Sequence, residues 1–142
     1  SAIVACVGRI EDVARVVTPS LKRAGSDLLF LPGTAENCAT AVRAMRSGTV
    51  LAAAVARSFD VAGAVARMAF AADCARGAAL TDRGECDAPC GLVLEVMRGE
   101  RLDGAVPIGE TLDAAALVVD GATHALDGLR REWSEPLEEI FA

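Results

Sequence analysis

The sequence has no tyrosine, a single histidine and few aromatic side chains, which make up 4% of the chain. A core must therefore be built mainly from alanine, valine and leucine, since hydrophobic residues still account for 53% of the chain. No apolar run approaches the roughly 18–20 residues of a membrane-spanning helix. The N-terminus also lacks a charged segment followed by a long apolar core. We therefore expect no spanning helix and no secretory signal.

Basic residues are outnumbered: 14 Lys and Arg stand against 20 Asp and Glu, which gives a net charge of −6. Nucleic acids and anionic membrane surfaces are bound through basic surfaces, so this balance argues against both as general partners. A local basic pocket for a nucleotide remains compatible with it.

The cysteines are odd in number and have no repeating spacing: Cys6, Cys38, Cys74, Cys86 and Cys90. Three of them lie in Ala/Val-rich segments, where cysteine behaves as a small hydrophobe, and a reducing, cytoplasmic location is the simplest interpretation. The C-x₃-C spacing of Cys86 and Cys90, with Cys74 nearby, is a weak metal signal. Structural zinc sites use paired C-x₂₋₄-C or mixed Cys/His ligands. Buried or surface thiols without a metal are the favoured alternative.

The 142 residues are enough for one domain with a real core, and we treat 1–142 as a single domain. Because the chain begins within a strand-like segment, we expect it to be a fragment of a longer chain. Short apolar runs predict the strands: Ala2–Gly8, Asp27–Pro32, Thr49–Val55, Gly91–Met97, Ala105–Glu110 and a hairpin in Ala116–Leu126. Asp120-Gly121 is a pair typical of the type I′ turn in such a hairpin.

Three helices are expected between the strands. Residues 35–47 place Cys38, Val42 and Met45 on one face, and Gly48 follows as a stop. Residues 60–75 and Leu126–Trp133 supply the others, and the polar residues 75–90 are expected to form the longest loop. This order predicts an α/β (α+β) fold: a mixed sheet of about six strands with helices mainly on one face.

The strand–turn–helix stretch "VARSFDVAGAVARMAF" is the main candidate site. Ser58 or Asp60 can cap the helix that begins near Val61 by accepting its free N–H groups. The same N–H groups and the helix dipole can bind a phosphate, for which Arg57, Ser58 and Asp60 would be the binding residues. Both uses compete for the same donors, and Asp60 would repel an anion unless Mg²⁺ or Arg57 intervened.

Two other features receive structural interpretations. Glu11 and Asp12 follow the first strand, where paired carboxylates can hold Mg²⁺, but ordinary turn and capping roles are favoured. His124 lies in the second strand of the hairpin, where a surface position is favoured over a catalytic base. No catalytic residue and no metal ligand is assigned.

Several segments resemble a known family. The stretch "IVACVGRIEDVARVVTPSLKRAGSDLLFLPG" is similar to the start of the C-terminal domain in the aminoimidazole-ribonucleotide-synthetase-related superfamily. Within it, the stretch looks like that of phosphoribosylformylglycinamidine synthase. "RSGTVLAAAVARSFDVAGAVARMAFAADCARGA", "CGLVLEV", "VPIGET" and "LRREWSEPLEEIF" continue the likeness in the family's order, over nearly the whole chain.

The resemblance implies the C-terminal half of an ATP-binding synthetase module. Members of this family are ATP-dependent C–N ligases of de novo purine biosynthesis. They convert formylglycinamide ribonucleotide to its amidine with ATP, Mg²⁺ and ammonia from glutamine. The partners implied are an N-terminal ATP-binding half and a glutaminase domain, without which this domain would not be catalytic.

The chain departs from the family where ligands are bound. The family's "HD.SDGG" turn falls on Ala54–Asp60, without the His, the first Asp and both glycines; a shift of one residue recovers only Asp60. "TAENCATA" replaces a glycine-rich stretch, "GECDAPCG" replaces an acidic one, and "MRGERLDGA" is too short for the usual helix. Two interpretations follow: a synthase domain that is catalytic only within its full chain, or a non-catalytic paralogue serving as a scaffold or partner-binding module. The missing helix predicts an uncovered sheet surface that another chain or domain buries.

Overall fold

The computed structural model describes residues 9, 11–57, 59–72, 76–81 and 88–141. Within them a seven-stranded mixed sheet carries three helices. The strands are β1 (Asp27–Pro32), β2 (Val50–Arg57), β3 (Gly77–Leu80), β4 (Cys90–Val96), β5 (Val106–Leu112), β6 (Ala116–Val119) and β7 (Ala122–Ala125). The helices are α1 (Ala35–Ser47), α2 (Val61–Phe70) and α3 (Leu126–Phe141).

The strands lie in the order β2-β4-β1-β5-β3-β6-β7. Every neighbouring pair is antiparallel except β3 and β6, which are parallel. The mixed sheet and the broad α/β class are thus confirmed, but the strand count of about six is wrong within the described residues. The extra strand is β3, which lies inside the expected loop 75–90, whereas the expected strand Ala2–Gly8 lies outside the described residues.

The sheet is covered on both faces. Leu28 and Phe30 belong to one buried cluster, with residues of α2 and α3, and Leu29 and Leu31 belong to a second cluster, with residues of α1. Alternate residues of a strand point to opposite faces. Two of the three helices therefore lie on one face and α1 lies on the other.

Helix α1 has the expected bounds but a different buried face. Thr34 caps it by accepting the Asn37 N–H at 3.1 Å, and Gly48 ends it with a φ of 81°. Ala41 and Ala44 are buried, whereas Val42 is 45% exposed. The expected face is wrong for Cys38 and Val42, which are exposed, whereas Met45 packs against the second cluster as expected. The buried alanines allow the helix to lie closer to the sheet than larger side chains would.

The other two helices differ from expectation in length. Helix α2 ends at Phe70 rather than at residue 75, and α3 runs through Pro136 to Phe141 rather than ending at Trp133. The rings of Phe70 and Trp133 lie 5.9 Å apart and join the two helices. Among the described residues, none of the helices is long and apolar enough to cross a membrane.

The hairpin at the end of the sheet is confirmed. Val119 pairs with Ala122, so the turn contains only Asp120 and Gly121. Both residues have positive φ, 51° and 78°, as a type I′ turn requires.

A buried carboxylate holds the segment that leads into β1. Glu95 in β4 is 0% exposed, and its two oxygens accept the backbone N–H groups of Lys22 at 2.8 Å and Arg23 at 2.9 Å. The Thr111 hydroxyl accepts the Ser26 N–H at 2.8 Å and donates to the Arg23 carbonyl at 2.6 Å. These bonds fix the path of residues 21–26 against the sheet.

A short turn joins β4 to β5, where no helix intervenes. Asp27 accepts the Gly99 N–H at 3.0 Å and pairs with Arg101 at 3.1 Å, while Arg98 pairs with Glu110 of β5. Asp27 and Glu110 are register partners, so the turn places its arginines over their strands. These contacts thus hold the turn against β1 and β5.

We predict that Glu95→Ala will destabilise the protein by roughly 3 kcal/mol, because two N–H groups lose a charged acceptor. The stability of Glu95→Gln should lie between that of the wild type and that of Glu95→Ala, since an amide supplies only one acceptor oxygen. Glu110→Ala is the matched control, because it removes only an exposed ion pair and should cost less than about 1 kcal/mol. Urea unfolding measures all three, and equal losses for Glu95→Ala and Glu110→Ala would contradict the prediction.

A second prediction concerns acid stability. The Gly99 N–H, and then the Arg101 and Arg98 guanidinium groups, hold the pKa of Asp27 below its usual value, although partial burial opposes them. A lowered folded-state pKa contributes stability above the unfolded pKa, and this contribution is lost as the pH falls through the folded pKa. The wild type should therefore lose its advantage over Asp27→Asn as the pH falls below about 4, the usual value of an unfolded aspartate, and through the lowered folded-state pKa. Chemical unfolding at several pH values checks this, and a difference independent of pH would refute it.

Candidate functional site

The β2–α2 turn lies where one end strand of the sheet passes into the buried helix. The backbone reverses after Arg57, whose carbonyl accepts the Asp60 N–H at 2.9 Å. Phe59 has a φ of 63° and is 58% exposed, an uncommon conformation for a bulky residue. Ser58, one of the residues expected at the site, lies outside the described residues.

Asp60 is the N-cap of α2. Its Oδ1 accepts the Gly63 N–H at 2.8 Å, and its Oδ2 lies 3.6 Å from Nη1 of Arg67. The capping role expected for Asp60 is confirmed. Its cationic partner is Arg67, about two helical turns further along the chain, rather than Arg57.

Three of the first four N–H groups of α2 already have partners within the turn. Val61 donates to the Phe59 carbonyl at 3.1 Å and Ala64 to the Asp60 carbonyl at 3.2 Å, in addition to the bond from Gly63 to the Asp60 carboxylate. A phosphate bound at a helix N-terminus needs such donors to be free. Here it would have to displace a carboxylate that is held by both a hydrogen bond and an ion pair.

Gly63 makes this cap possible. A Cβ built on Gly63 would lie 2.1 Å from Oδ2 and 2.5 Å from Oδ1 of Asp60, closer than any real contact. Neither Gly63 nor Arg67 is among the site residues predicted from the sequence. A D-x-x-G pattern at a helix start was the available signal for Gly63, whereas the approach of Arg67 depends on the turn geometry.

Arg57 has a different environment. It is exposed, and no carboxylate of the described residues pairs with it. With Val55, Asp60 and Arg67 it lines a surface cleft of about 530 Å³. Within the described part of the chain, Arg57 is therefore a cation that can meet an anion from outside.

A second recess, of about 430 Å³, lies beside this cleft and shares Val55 and Arg67 with it. Its other lining residues are small and apolar: Pro19, Ala53, Ala54 and Leu92. The two recesses follow β2, which pairs with β4 on one side only. On its other side the described residues supply a single bridge, between Thr18 and Ala52.

The remaining candidates have ordinary roles or lie elsewhere. Asp12 accepts the Ala14 N–H at 2.9 Å and caps a short 3-10 turn, and His124 is exposed in β7 opposite Leu117. Cys90 is a free, exposed thiol, whereas Cys74 and Cys86 lie outside the described residues. In the part of the chain that is described, no three His, Cys, Asp or Glu side chains gather as a metal site would require.

Comparison of the chain with protein-family models, with curated proteins and with solved structures finds no match. The function is therefore inferred from the residues of the β2–α2 turn and of the neighbouring edge of β2.

We predict that Gly63→Ala will destabilise the wild type, although alanine favours helix more than glycine does. The added methyl group displaces the Asp60 carboxylate, so the loss should approach that of Asp60→Ala, about 1 kcal/mol. In the Asp60→Ala background the same change should stabilise the protein by up to about 1 kcal/mol, because only helix propensity remains. Unfolding of the four proteins in a double-mutant cycle measures this change of sign. Additive effects would show that the cap does not depend on Gly63.

Proposed function

We propose that this chain is a domain related to phosphoribosylformylglycinamidine synthase that acts as a non-catalytic, partner-binding module. The observation that carries the proposal is the Asp60 carboxylate at the N-terminus of α2, bonded to Gly63 and paired with Arg67. It occupies the place where a nucleotide phosphate would meet the helix.

The arrangement of the family-like segments supports the first half of the proposal. "DLLFLP", "TVLAAAV" and "CGLVLEV" fall in three adjacent strands, β1, β2 and β4, at one end of the sheet. The helix that follows "RSFD" packs its buried residues against them. An apolar frame of this kind preserves a fold, whereas ligand binding requires specific polar groups that this turn lacks.

The electrostatics of the turn support the second half of the proposal, that the module is non-catalytic. A phosphate and the Asp60 carboxylate would be like charges competing for the same N–H groups, and each raises the free energy of the other when close. Arg67 neutralises one of them only. Binding of ATP through this turn would therefore require Mg²⁺ or a rearrangement of the cap.

A second candidate is the catalytic one: a domain that contributes to ATP- and Mg²⁺-dependent ligation within a longer chain, together with an N-terminal ATP-binding half and a glutaminase domain. The observation in its favour is the unpaired Arg57 beside the cleft of about 530 Å³. That guanidinium could meet a phosphate supplied by the partner half.

Mg·ATP separates the two candidates. We predict no stabilisation of this chain against thermal unfolding at millimolar Mg·ATP, because the Asp60 carboxylate caps the helix N-terminus and repels a phosphate there. A nucleotide site at about 100-fold excess over its dissociation constant would add about 2.7 kcal/mol. Asp60→Ala is the informative variant, since it uncovers the helix terminus, and Glu36→Ala, at the first turn of α1, is its matched control.

Two results would overturn the proposal. The first is clear stabilisation of the wild type by Mg·ATP that Arg57→Ala abolishes, which would favour the catalytic candidate. The second is the same stabilisation in a longer chain that contains this domain and an ATP-binding half. Binding that appears only in Asp60→Ala would agree with the proposal, because it would show that the carboxylate blocks the site.

A further inference from the structure

Among the described residues, no strand pairs with the outer edge of β2 next to the candidate site. Ala53 donates its N–H away from β4, to the Thr18 carbonyl at 3.2 Å. Residues two apart in a strand direct their N–H and C=O groups to the same side, and the β2–β4 register is regular from Ala52 to Arg57. The N–H and C=O of Val55 therefore point outward, where the described residues offer no pairing strand.

The side chains along this edge do little to protect it. Natural proteins guard edge strands with lysines, prolines, bulges or a covering element. The β2 irregularity lies between Val50 and Ala52, at the end already bridged by Thr18. Val55 is 52% exposed and Phe59 is 58% exposed, so the open end presents apolar surface.

The charged residues that line the cleft at this edge are Arg57, Arg67 and Asp60, two cations and one anion, which leaves a net positive charge at Arg57. Arg57 has no acidic partner among the described residues, and β2 itself (Val50–Arg57) contains no Asp or Glu. A second copy of β2 paired along the same edge would therefore leave both Arg57 side chains without a carboxylate. An acidic strand from another protein would satisfy them.

We propose that the outer edge of β2 binds an extended acidic segment of a partner protein by adding it to the sheet as a further strand. The Val55 N–H and C=O supply the main-chain bonds, and Arg57 pairs with a carboxylate of the segment. The recess of about 430 Å³ beside Pro19, Ala53 and Leu92 accepts an apolar side chain at an alternate position. This mode of recognition combines backbone affinity with side-chain specificity. It specifies the partner surface of the proposed function, on which it rests.

Fluorescence anisotropy with a short labelled peptide that alternates glutamate and valine tests the inference. Val55→Pro removes an N–H that points away from β4, so the β2–β4 pairing is preserved. We expect Val55→Pro and Arg57→Glu each to weaken binding about tenfold or more, as loss of a charge-assisted or backbone hydrogen bond predicts. Arg43→Glu, the same charge change on exposed α1, should leave binding unchanged. A peptide with lysine in place of glutamate should not bind the wild type.

Hydrogen exchange provides a readout that does not depend on the folding of any variant. In the wild type, the peptide should slow exchange of the Val55 amide more than that of the Val42 amide in α1. Three results would overturn the inference: no binding of the glutamate–valine peptide, equal binding by Val55→Pro and Arg57→Glu, or a concentration-dependent dimer that Val55→Pro abolishes. The last would assign the edge to a second copy. None of these depends on Mg·ATP, so failure here is distinguishable from failure of the proposed function.

Discussion

One buried carboxylate positions the elements on which the site depends. Glu95 accepts two backbone N–H groups from residues 22 and 23, and this fixes a segment that has no regular structure of its own. The neighbouring Leu21 then enters the core and donates its N–H to the Met68 carbonyl at 3.2 Å. Through this chain of contacts Glu95 contributes to the position of α2 on the sheet, and hence to that of its capped N-terminus, together with the apolar packing of the helix against the strands.

The scarcity of large side chains explains why such polar contacts matter. Alanine occupies many core positions on both faces, and small residues allow the layers to approach closely but fix their relative orientation weakly. Hydrogen bonds from Glu95 and Thr111 supply the directional constraint that interdigitating aromatic rings provide in other cores. The Asp60 cap has the same role at the start of α2, where it sets both the helix boundary and the charge next to Arg57.

Much of the fold could be predicted where local signals mark both ends of an element. Strand β1 and helix α1 agree with their expected bounds because Asp27, Pro32, Thr34 and Gly48 punctuate that stretch. Strand β3 was missed because its sequence, Gly-Ala-Ala-Leu, has no alternation of apolar and polar residues. Its formation depends on non-local pairing with β5 and β6. The Asp60 cap could be predicted from residue type alone, whereas its partner Arg67 depends on the geometry of the turn.

The strand order has a consequence for biosynthesis. Among the described residues, β2 pairs with β4 and has a single bridge to Thr18, and β1 pairs with β4 and β5, so the strands that pair with both lie in the second half of the chain. The bond from Lys22 to Glu95 spans 73 residues. While the chain emerges from the ribosome, the apolar strands "DLLFLP" and "VLAAAVAR" must therefore wait for the second half before the sheet can form. That interval is when they are open to aggregation and to chaperone binding.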